Sequence, residues 1–87
     1  MRLDKFLKIS RIIKRRTIAK EACVSGRVSI NGKNAKASTE VKENDIIEIR
    51  FAKSELKAKV LNIASHVNKA DAKNMYEIII DSEENQP

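Results

Sequence analysis

Two short apolar stripes near the N-terminus constrain the fold of this 87-residue chain more than any other feature. The first predicts an amphipathic helix over residues 2–10, whose apolar face carries Leu3, Phe6, Leu7 and Ser10. The second predicts a helix over residues 17–25, ended by Gly26. Its apolar face carries Ile18, Ala19, Ala22 and Cys23. Because such short helices do not persist alone, the two stripes must pack on each other and on a further element.

The rest of the chain predicts a small, mainly antiparallel sheet. Val28–Ile30 alternates in polarity and leads into Asn31-Gly32, a pair typical of a type I′ hairpin because both residues tolerate positive φ. Residues 33–36 would form the return strand, and further β-rich runs cover residues 47–51, 56–60 and 76–80. The predicted fold class is therefore α+β, with two short N-terminal helices packed on the sheet.

The chain contains no repeat and no dividing linker, so residues 1–80 are expected to form one domain. Residues 81–87 are acidic and polar, and we expect them to form a disordered tail. The single cysteine, Cys23, is expected in the core, and the single histidine, His66, on the surface. One cysteine and one histidine provide neither an internal disulfide nor a four-ligand zinc site. Without an apolar membrane span or a leader sequence, a cytoplasmic monomer is expected.

Positive charge is concentrated in the first part of the chain. Residues 1–36 carry 11 Lys and Arg against two acids, whereas residues 37–87 carry seven against ten. Lys14, Arg15 and Arg16 directly precede the second predicted helix, where the positive end of the helix dipole disfavours cations. A polyanion would favour the same placement, because phosphates can contact the helix amides and the cations together. This pattern indicates nucleic-acid binding.

The candidate RNA-binding residues follow from this charge distribution. The candidates next to the second helix are Arg11, Lys14, Arg15 and Arg16, and the further candidates are Arg2, Lys5, Arg27, Lys33 and Lys36. Each could instead be an ordinary solvated charge or lie over apolar surface by its methylene stem. Lys8 is a weaker candidate, because it follows Asp4 by four residues and is predicted to pair with it.

The aromatic residues indicate which kind of RNA is bound. The chain has no tryptophan, and Phe6 and Phe51 both occupy apolar registers, which leaves Tyr76. Since proteins that bind single strands stack bases on exposed aromatic rings, stacking is not expected to be the main binding mode. We expect structured RNA, recognised through phosphates, 2′-hydroxyls and shape.

Four segments resemble the RNA-binding module named after ribosomal protein S4, the alpha-L motif. They are Arg2-Leu-Asp-Lys-Phe-Leu, residues 10–20, residues 26–33 and residues 41–49, so the resemblance covers nearly the whole chain. The family usually has Gly-Asp before a strand where this chain has Asn44-Asp45. Asparagine also tolerates positive φ, so the turn is expected to persist.

The resemblance implies a function on the ribosome. Members place the two-helix arm and the following strand against folded RNA. Stand-alone members act in bacterial ribosome quality control, and the chain is also similar to a small heat-shock protein that binds obstructed large subunits. The implied partners are large-subunit rRNA and peptidyl-tRNA on split large subunits. The tRNA would be held near the P site while an RqcH-like tailing factor recruits alanyl-tRNA, so that stalled chains receive a poly-alanine tail and are rescued.

Two other functions stay open at this point. A helix-turn-helix DNA-binding protein would present several base-reading side chains, whereas the outward positions of the second helix are mainly Thr17, Lys20 and Glu21. The same module also often precedes a catalytic domain that modifies RNA, so the chain could be a targeting subunit for such an enzyme. No pair of general base and nucleophile and no cofactor loop is recognisable, so neither catalysis nor a cofactor is expected.

Overall fold

A computed structural model describes residues 1–63 and 69–83. Its elements in chain order are α1 (Leu3–Ile9), α2 (Arg16–Val24), β1 (Val28–Ile30), β2 (Lys33–Asn34), β3 (Ile46–Arg50), β4 (Ser54–Val60), α3 (Lys69–Ala72), a 3-10 turn (Lys73–Met75) and β5 (Tyr76–Glu83). The strands form one sheet in the order β2-β1-β3-β4-β5, and each neighbouring pair is antiparallel. The predicted α+β fold class is confirmed.

The helices and the sheet enclose one apolar core. Helix α1 contributes Leu3, Phe6 and Leu7, each with no exposed surface, and the sheet contributes residues such as Ile47 and Ile49. Helix α2 packs against α1 through small side chains, among them Ala19 and Cys23. The predicted core position of Cys23 is confirmed, and burial together with the Asp4 charge raises the pKa of its thiol to about 11. The thiol is therefore neutral at physiological pH and packs as a small hydrophobe.

The loop after β2 holds the beginning of α1. The first amides of a helix lack intrahelical partners, and no side chain caps α1. The Leu3 amide instead donates to the Thr39 carbonyl at 2.8 Å, and the Asp4 amide donates to the Ala37 carbonyl at 3.1 Å. Because Ala37 is itself buried, this loop ties α1 to the core. Backbone carbonyls satisfy the first amides of the helix, so the Arg2 side chain is not needed as a cap.

Each of the two N-terminal helices is followed by a residue with positive φ, directly after its C-cap. Gly26, with φ of 77°, follows α2, and its amide donates to the Cys23 carbonyl at 3.1 Å. Arg11, with φ of 63°, takes the corresponding position after α1. A left-handed conformation costs a residue with a side chain about 1 to 2 kcal/mol, a cost that glycine avoids. Arginine therefore stands where glycine would be more stable.

The hairpin prediction is confirmed, and the turn is linked to the next strand. Asn31 and Gly32 have φ of 53° and 83°. The Asn31 Oδ1 atom accepts a hydrogen bond from the Ile46 amide at 2.9 Å, and its Nδ2 atom donates to Asp45 Oδ1 at 3.1 Å. Asn44 has φ of 75°, so the turn that carries asparagine in place of the family's glycine persists as expected.

Two residues predicted for the apolar core are exposed. Ile18 is 47% exposed, because α2 turns its small residues, Ala19 and Cys23, toward the core. Phe51 is 40% exposed, because β3 ends at Arg50 and the alternation of buried and exposed residues ends with it. The predictions that these two side chains are core residues are therefore wrong.

Several element boundaries also differ from the sequence-based expectation. Helix α2 begins at Arg16, one residue early, so Arg16 is its first residue and Arg15 its N-cap. Strand β2 is shorter than predicted and covers Lys33–Asn34, although the Ala35 amide still donates to the Val28 carbonyl at 2.9 Å. Strand β5 continues to Glu83, beyond the expected domain boundary at residue 80. The rest of the predicted tail, residues 84–87, and His66 lie outside the described residues.

The contacts of Asn31 predict how the hairpin contributes to stability. Asn31→Ala removes two side-chain hydrogen bonds and places a less tolerant residue at positive φ, so we expect a loss of about 1 to 2 kcal/mol in the free energy of unfolding. Asn31→Gly removes the same hydrogen bonds but tolerates the turn, so its loss should be smaller. Urea unfolding followed by circular dichroism measures both, and an equal loss in the two variants would contradict the contribution of backbone conformation.

Candidate RNA-binding surface

The predicted RNA-binding residues lie mainly on the surface of the α1–α2 region and the hairpin. Lys5 is half-buried, and the exposed ones are Arg2, Arg11, Lys14, Arg15, Arg16, Arg27, Lys33 and Lys36. These residues belong to different elements, so the fold decides which of them come together.

A buried aspartate brings two of these arginines together. The Asp4 side chain is 2% exposed. Arg2 donates to it in a bidentate manner, from Nε to Oδ1 at 3.1 Å and from Nη2 to Oδ2 at 3.2 Å. Arg16 Nε lies 3.5 Å from Oδ2, and the Lys5 amide donates to Oδ1 at 2.8 Å. Asp4 therefore links the residue before α1 to the first residue of α2.

The predicted pairing of Lys8 with Asp4 is wrong. A prediction from four-residue spacing includes only side chains on the same helix. The Asp4 carboxylate instead contacts Arg2, which precedes α1, and Arg16, which begins α2. Lys8 is exposed, and among the described side chains of residues 1–63 and 70–80 no acidic group lies within ion-pair distance of it.

The arginines keep Asp4 ionised in spite of its burial. Burial alone would raise the pKa of the Asp4 carboxyl. The hydrogen bond from Arg2, the charge of Arg16 and the Lys5 amide outweigh burial and hold that pKa below its ordinary value of 3.8. At neutral pH the group is thus a carboxylate between two guanidinium groups.

This arrangement orients Arg2 and Arg16 without occupying them completely. Their side chains are 51% and 50% exposed. A guanidinium has five N–H donors, of which Arg2 uses two side-chain contacts to Asp4, while Arg16 approaches it through Nε. The remaining donors are available to phosphate oxygens, and an oriented side chain loses less conformational entropy on binding than a free one.

The basic turn, residues 11–15, continues this surface between the two helices. Arg11, Lys14 and Arg15 are exposed, and none of them has an ion-pair partner among the residues that the structure describes. Arg15 occupies the N-cap position of α2, and no side chain caps that helix. Cations at this end are disfavoured by about 0.3 to 1 kcal/mol each, which a bound phosphate would reverse.

Two other predicted residues, Lys36 and Lys33, lie outside the basic turn. Lys36 and Arg2 line one hollow together with Cys23 and Val24. Lys33 lies on the edge strand β2, where it pairs with Ile30.

Sequence reasoning missed two charged residues that shape the surface. The sequence pattern predicted that Asp4 pairs with Lys8 on the same helix. The nearness of Arg2, two residues before Asp4, was a signal for the pair that the structure shows. Sequence reasoning also passed over Arg50, which lies in the acidic part of the chain. The Arg50 amide donates to the Arg27 carbonyl at 2.9 Å, so the two arginines are neighbours at the ends of adjacent strands. The alternation of β3 already placed Arg50 on the polar face.

Comparison with known proteins places this surface in a family. The family model of the S4 domain matches residues 1–47, which contain α1, α2, the hairpin and every predicted RNA-binding residue. The chain belongs to the S4 domain family. The resemblance recognised in the sequence is therefore confirmed, and the arginines held by Asp4 lie in the matched part of the S4 domain.

Relatives of this S4 domain protein match over most of their length. A protein of Streptococcus pneumoniae named RQC P-site tRNA stabilizing factor is 57% identical over 79 residues, which cover 91% of this chain and 90% of the relative. A Bacillus subtilis protein of the same name is 51% identical, with 91% and 92% covered. The trimeric structure of Vibrio cholerae heat shock protein 15 superposes with a TM-score of 0.82 at 29% identity, covering 90% of this chain and 80% of that one.

Two further observations apply to residues 1–63 and 69–83. None of the helices there is long and apolar enough to cross a membrane. No group of three His, Cys, Asp or Glu side chains in the same ranges could hold a metal ion.

The Asp4 contacts predict a specific dependence of stability on pH. Because the pKa of Asp4 is lower in the folded than in the unfolded protein, the group stabilises the fold above about pH 3.8. This contribution is lost as the pH falls from there through the lowered folded pKa. Urea unfolding between pH 7 and pH 2 should show the loss in the wild type.

Asp4→Asn isolates this contribution from those of the other carboxyl groups. We expect the free energy of unfolding of the variant to be lower by about 1 to 2 kcal/mol at pH 7. The expected loss is modest because both arginines are half exposed, and solvent screens their charges. The difference between variant and wild type should shrink at low pH. A difference that is constant across the range would contradict the assigned role of the Asp4 charge.

Proposed function

We propose that this protein is an RNA-binding factor of ribosome quality control that binds large subunits carrying peptidyl-tRNA and stabilises the tRNA at the P site. The observation that carries the proposal is the pair of arginines held on one buried carboxylate within the S4 domain. The names of the Streptococcus and Bacillus relatives, which match along nearly the whole chain, support the choice of tRNA and of the P site.

The proposed mechanism is a brace between two RNAs. Arg2 precedes α1, whereas Arg15 and Arg16 begin α2, so the surface presents cations from two separate points of the chain. A ligand that contacts both rRNA and tRNA stabilises their joint state by its greater affinity for that state. The protein performs no chemistry itself in this mechanism, and the ribosome catalyses the addition of alanine to the stalled chain.

The proposal includes partners and a cellular setting. An RqcH-like tailing factor would deliver alanyl-tRNA while the tRNA at the P site is held, which supports poly-alanine tailing and rescue of stalled nascent chains. The protein would act in the cytoplasm and as a monomer, since one chain provides the whole basic surface from residues 2 to 36. Beyond Arg2 and Arg16, the proposed RNA contacts are Lys5, Arg11, Lys14, Arg15, Arg27, Lys33 and Lys36.

Arg15 tests phosphate binding at the start of α2 without disturbing the ion pairs of Asp4. Arg15→Ala removes an exposed cation, whereas Arg16→Ala also removes an ion pair with Asp4. Loss of one charge-assisted phosphate contact should weaken binding to large subunits roughly ten- to a hundredfold. Co-sedimentation at fixed salt measures the affinity, and circular dichroism verifies the fold.

Lys73→Ala is the matched control for Arg15→Ala. This substitution makes the same change in charge at an exposed residue outside residues 2–36. The affinity of the variant for large subunits should stay close to that of the wild type. Equal effects of the two substitutions would indicate that only net charge matters. Competition with duplex DNA and with structured RNA at the same salt concentration would show which nucleic acid the surface prefers.

The bracing mechanism predicts a preference among large subunits. Subunits that carry peptidyl-tRNA should bind the protein more tightly than empty ones, because they offer both RNAs. Cells that lack the protein should tail stalled chains with alanine less, while ordinary translation continues. Equal affinity for loaded and empty subunits would refute the brace and would leave binding to rRNA intact.

A further inference from the structure

An open groove lies between α2 and the end of β3, at the edge of the basic surface. Its volume is about 220 Å³, and its lining includes Ile13, Ile18, Glu21, Arg27, Arg50 and Phe51. The lining combines apolar side chains with two arginines. Such a combination suits a ligand that has one flat apolar part and one anionic part.

The apolar lining consists largely of side chains that the fold leaves uncovered. Phe51 is 40% exposed and Ile18 is 47% exposed, although both are large hydrophobic residues. Phe51 follows β3 directly, and its amide donates to the Ser54 carbonyl at 2.9 Å across the turn to β4. Its ring is therefore carried by a hydrogen-bonded turn and not by a loose loop. A ring presented in this way is suited to stacking.

The two arginines of the groove, Arg27 and Arg50, are adjacent and form no salt bridge with a described side chain. The backbone hydrogen bond between Arg50 and Arg27 places the two residues side by side at the ends of β3 and β1. Among the described side chains of residues 1–63 and 70–80 neither forms an ion pair, and Arg50 does not do so even with Glu55, its cross-strand neighbour. Like charges on neighbouring strands destabilise a sheet. A phosphate would compensate both.

The groove adjoins the surface that is proposed to bind RNA, because Arg27, one of the proposed RNA contacts, lines it. Ile13 and Ile18 line it, and they flank the cations Lys14, Arg15 and Arg16 in the sequence. An RNA strand whose phosphates contact Arg27 is therefore next to the groove. Because pockets for drug-sized ligands are roughly 300 to 1,000 Å³, this smaller groove suits a single base. A paired base keeps its faces stacked within the duplex, so the base must be unpaired.

We propose that the groove binds one unpaired nucleotide of the bound RNA, with its base stacked on Phe51 and its phosphate held by Arg27 and Arg50. Glu21 can accept hydrogen bonds from an amino group of the base, which would favour bases that carry one. The inference rests on the proposed function, because the nucleotide belongs to the RNA bound by the basic surface. It adds the stacking of one base to the expectation from the sequence that stacking is not the main binding mode.

Crosslinking from the groove tests the proposal and identifies the source of the nucleotide. Phe51 is replaced by the photoreactive p-benzoylphenylalanine, and the full chain is bound to large subunits that carry peptidyl-tRNA and then irradiated. We expect a crosslink to one unpaired nucleotide, mapped by reverse transcription to rRNA or to tRNA. Ile80, an exposed residue of β5 outside the groove, is the control position and should not give that crosslink. A crosslink to a ribosomal protein, or none while the variant remains bound, would overturn the proposal.

Affinity measurements on the same subunits separate stacking from other contributions of Phe51. Phe51→Ala should weaken binding about five- to a hundredfold, and Phe51→Trp should retain it, because either aromatic ring stacks on a base. Ile80→Ala removes an exposed apolar side chain elsewhere and should change nothing. Unchanged affinity in Phe51→Ala would refute this inference alone, provided that Arg15→Ala still weakens binding. If the wild type does not bind large subunits, the proposed function and this inference both fail.

Discussion

The carboxylate of Asp4 determines how the two N-terminal helices present their charges. It is buried, it is ionised, and it is held by guanidinium groups that come from either side of α1. Removing one partner of a buried ion pair is costly, because the other charge is left without compensation. Here the cost of burial falls on the acid, while both arginines remain half exposed and able to bind. The same interaction thus links the two helices and orients the cations that we propose to contact phosphate.

The backbone supports this arrangement. The carbonyls of Thr39 and Ala37 receive the first amides of α1, so that the helix begins without a side-chain cap. Asn31 in turn links the hairpin before this loop to β3 after it. The sheet therefore holds the loop, the loop holds α1, and α1 holds Asp4 in place. The acidic part of the chain therefore contributes to the proposed RNA-binding surface indirectly, through the position that it gives to the basic part.

Local patterns in the sequence predicted the elements, and contacts between elements required the structure. Apolar spacing was sufficient for both helices, and Asn31-Gly32 was sufficient for the hairpin, because these signals depend on neighbouring residues only. The partners of Asp4 could not be predicted in the same way, since Arg16 reaches it from another helix. The exposure of Phe51 depends on where β3 ends, and strand ends are poorly determined by sequence alternation. The groove between α2 and β3 has no signature in the sequence, because its lining residues come from segments that are far apart in the chain.

Arg11 has a consequence for any attempt to improve this protein. Its left-handed backbone conformation favours glycine, yet the residue carries one of the exposed charges of the basic turn. Selection for thermal stability would reward glycine at this position, because the change removes backbone strain and a cation from a crowded basic region. The more stable molecule would have lost part of the surface that we propose to bind RNA. Melting temperature is therefore a misleading measure of fitness for variants of this turn, and binding has to be measured beside it.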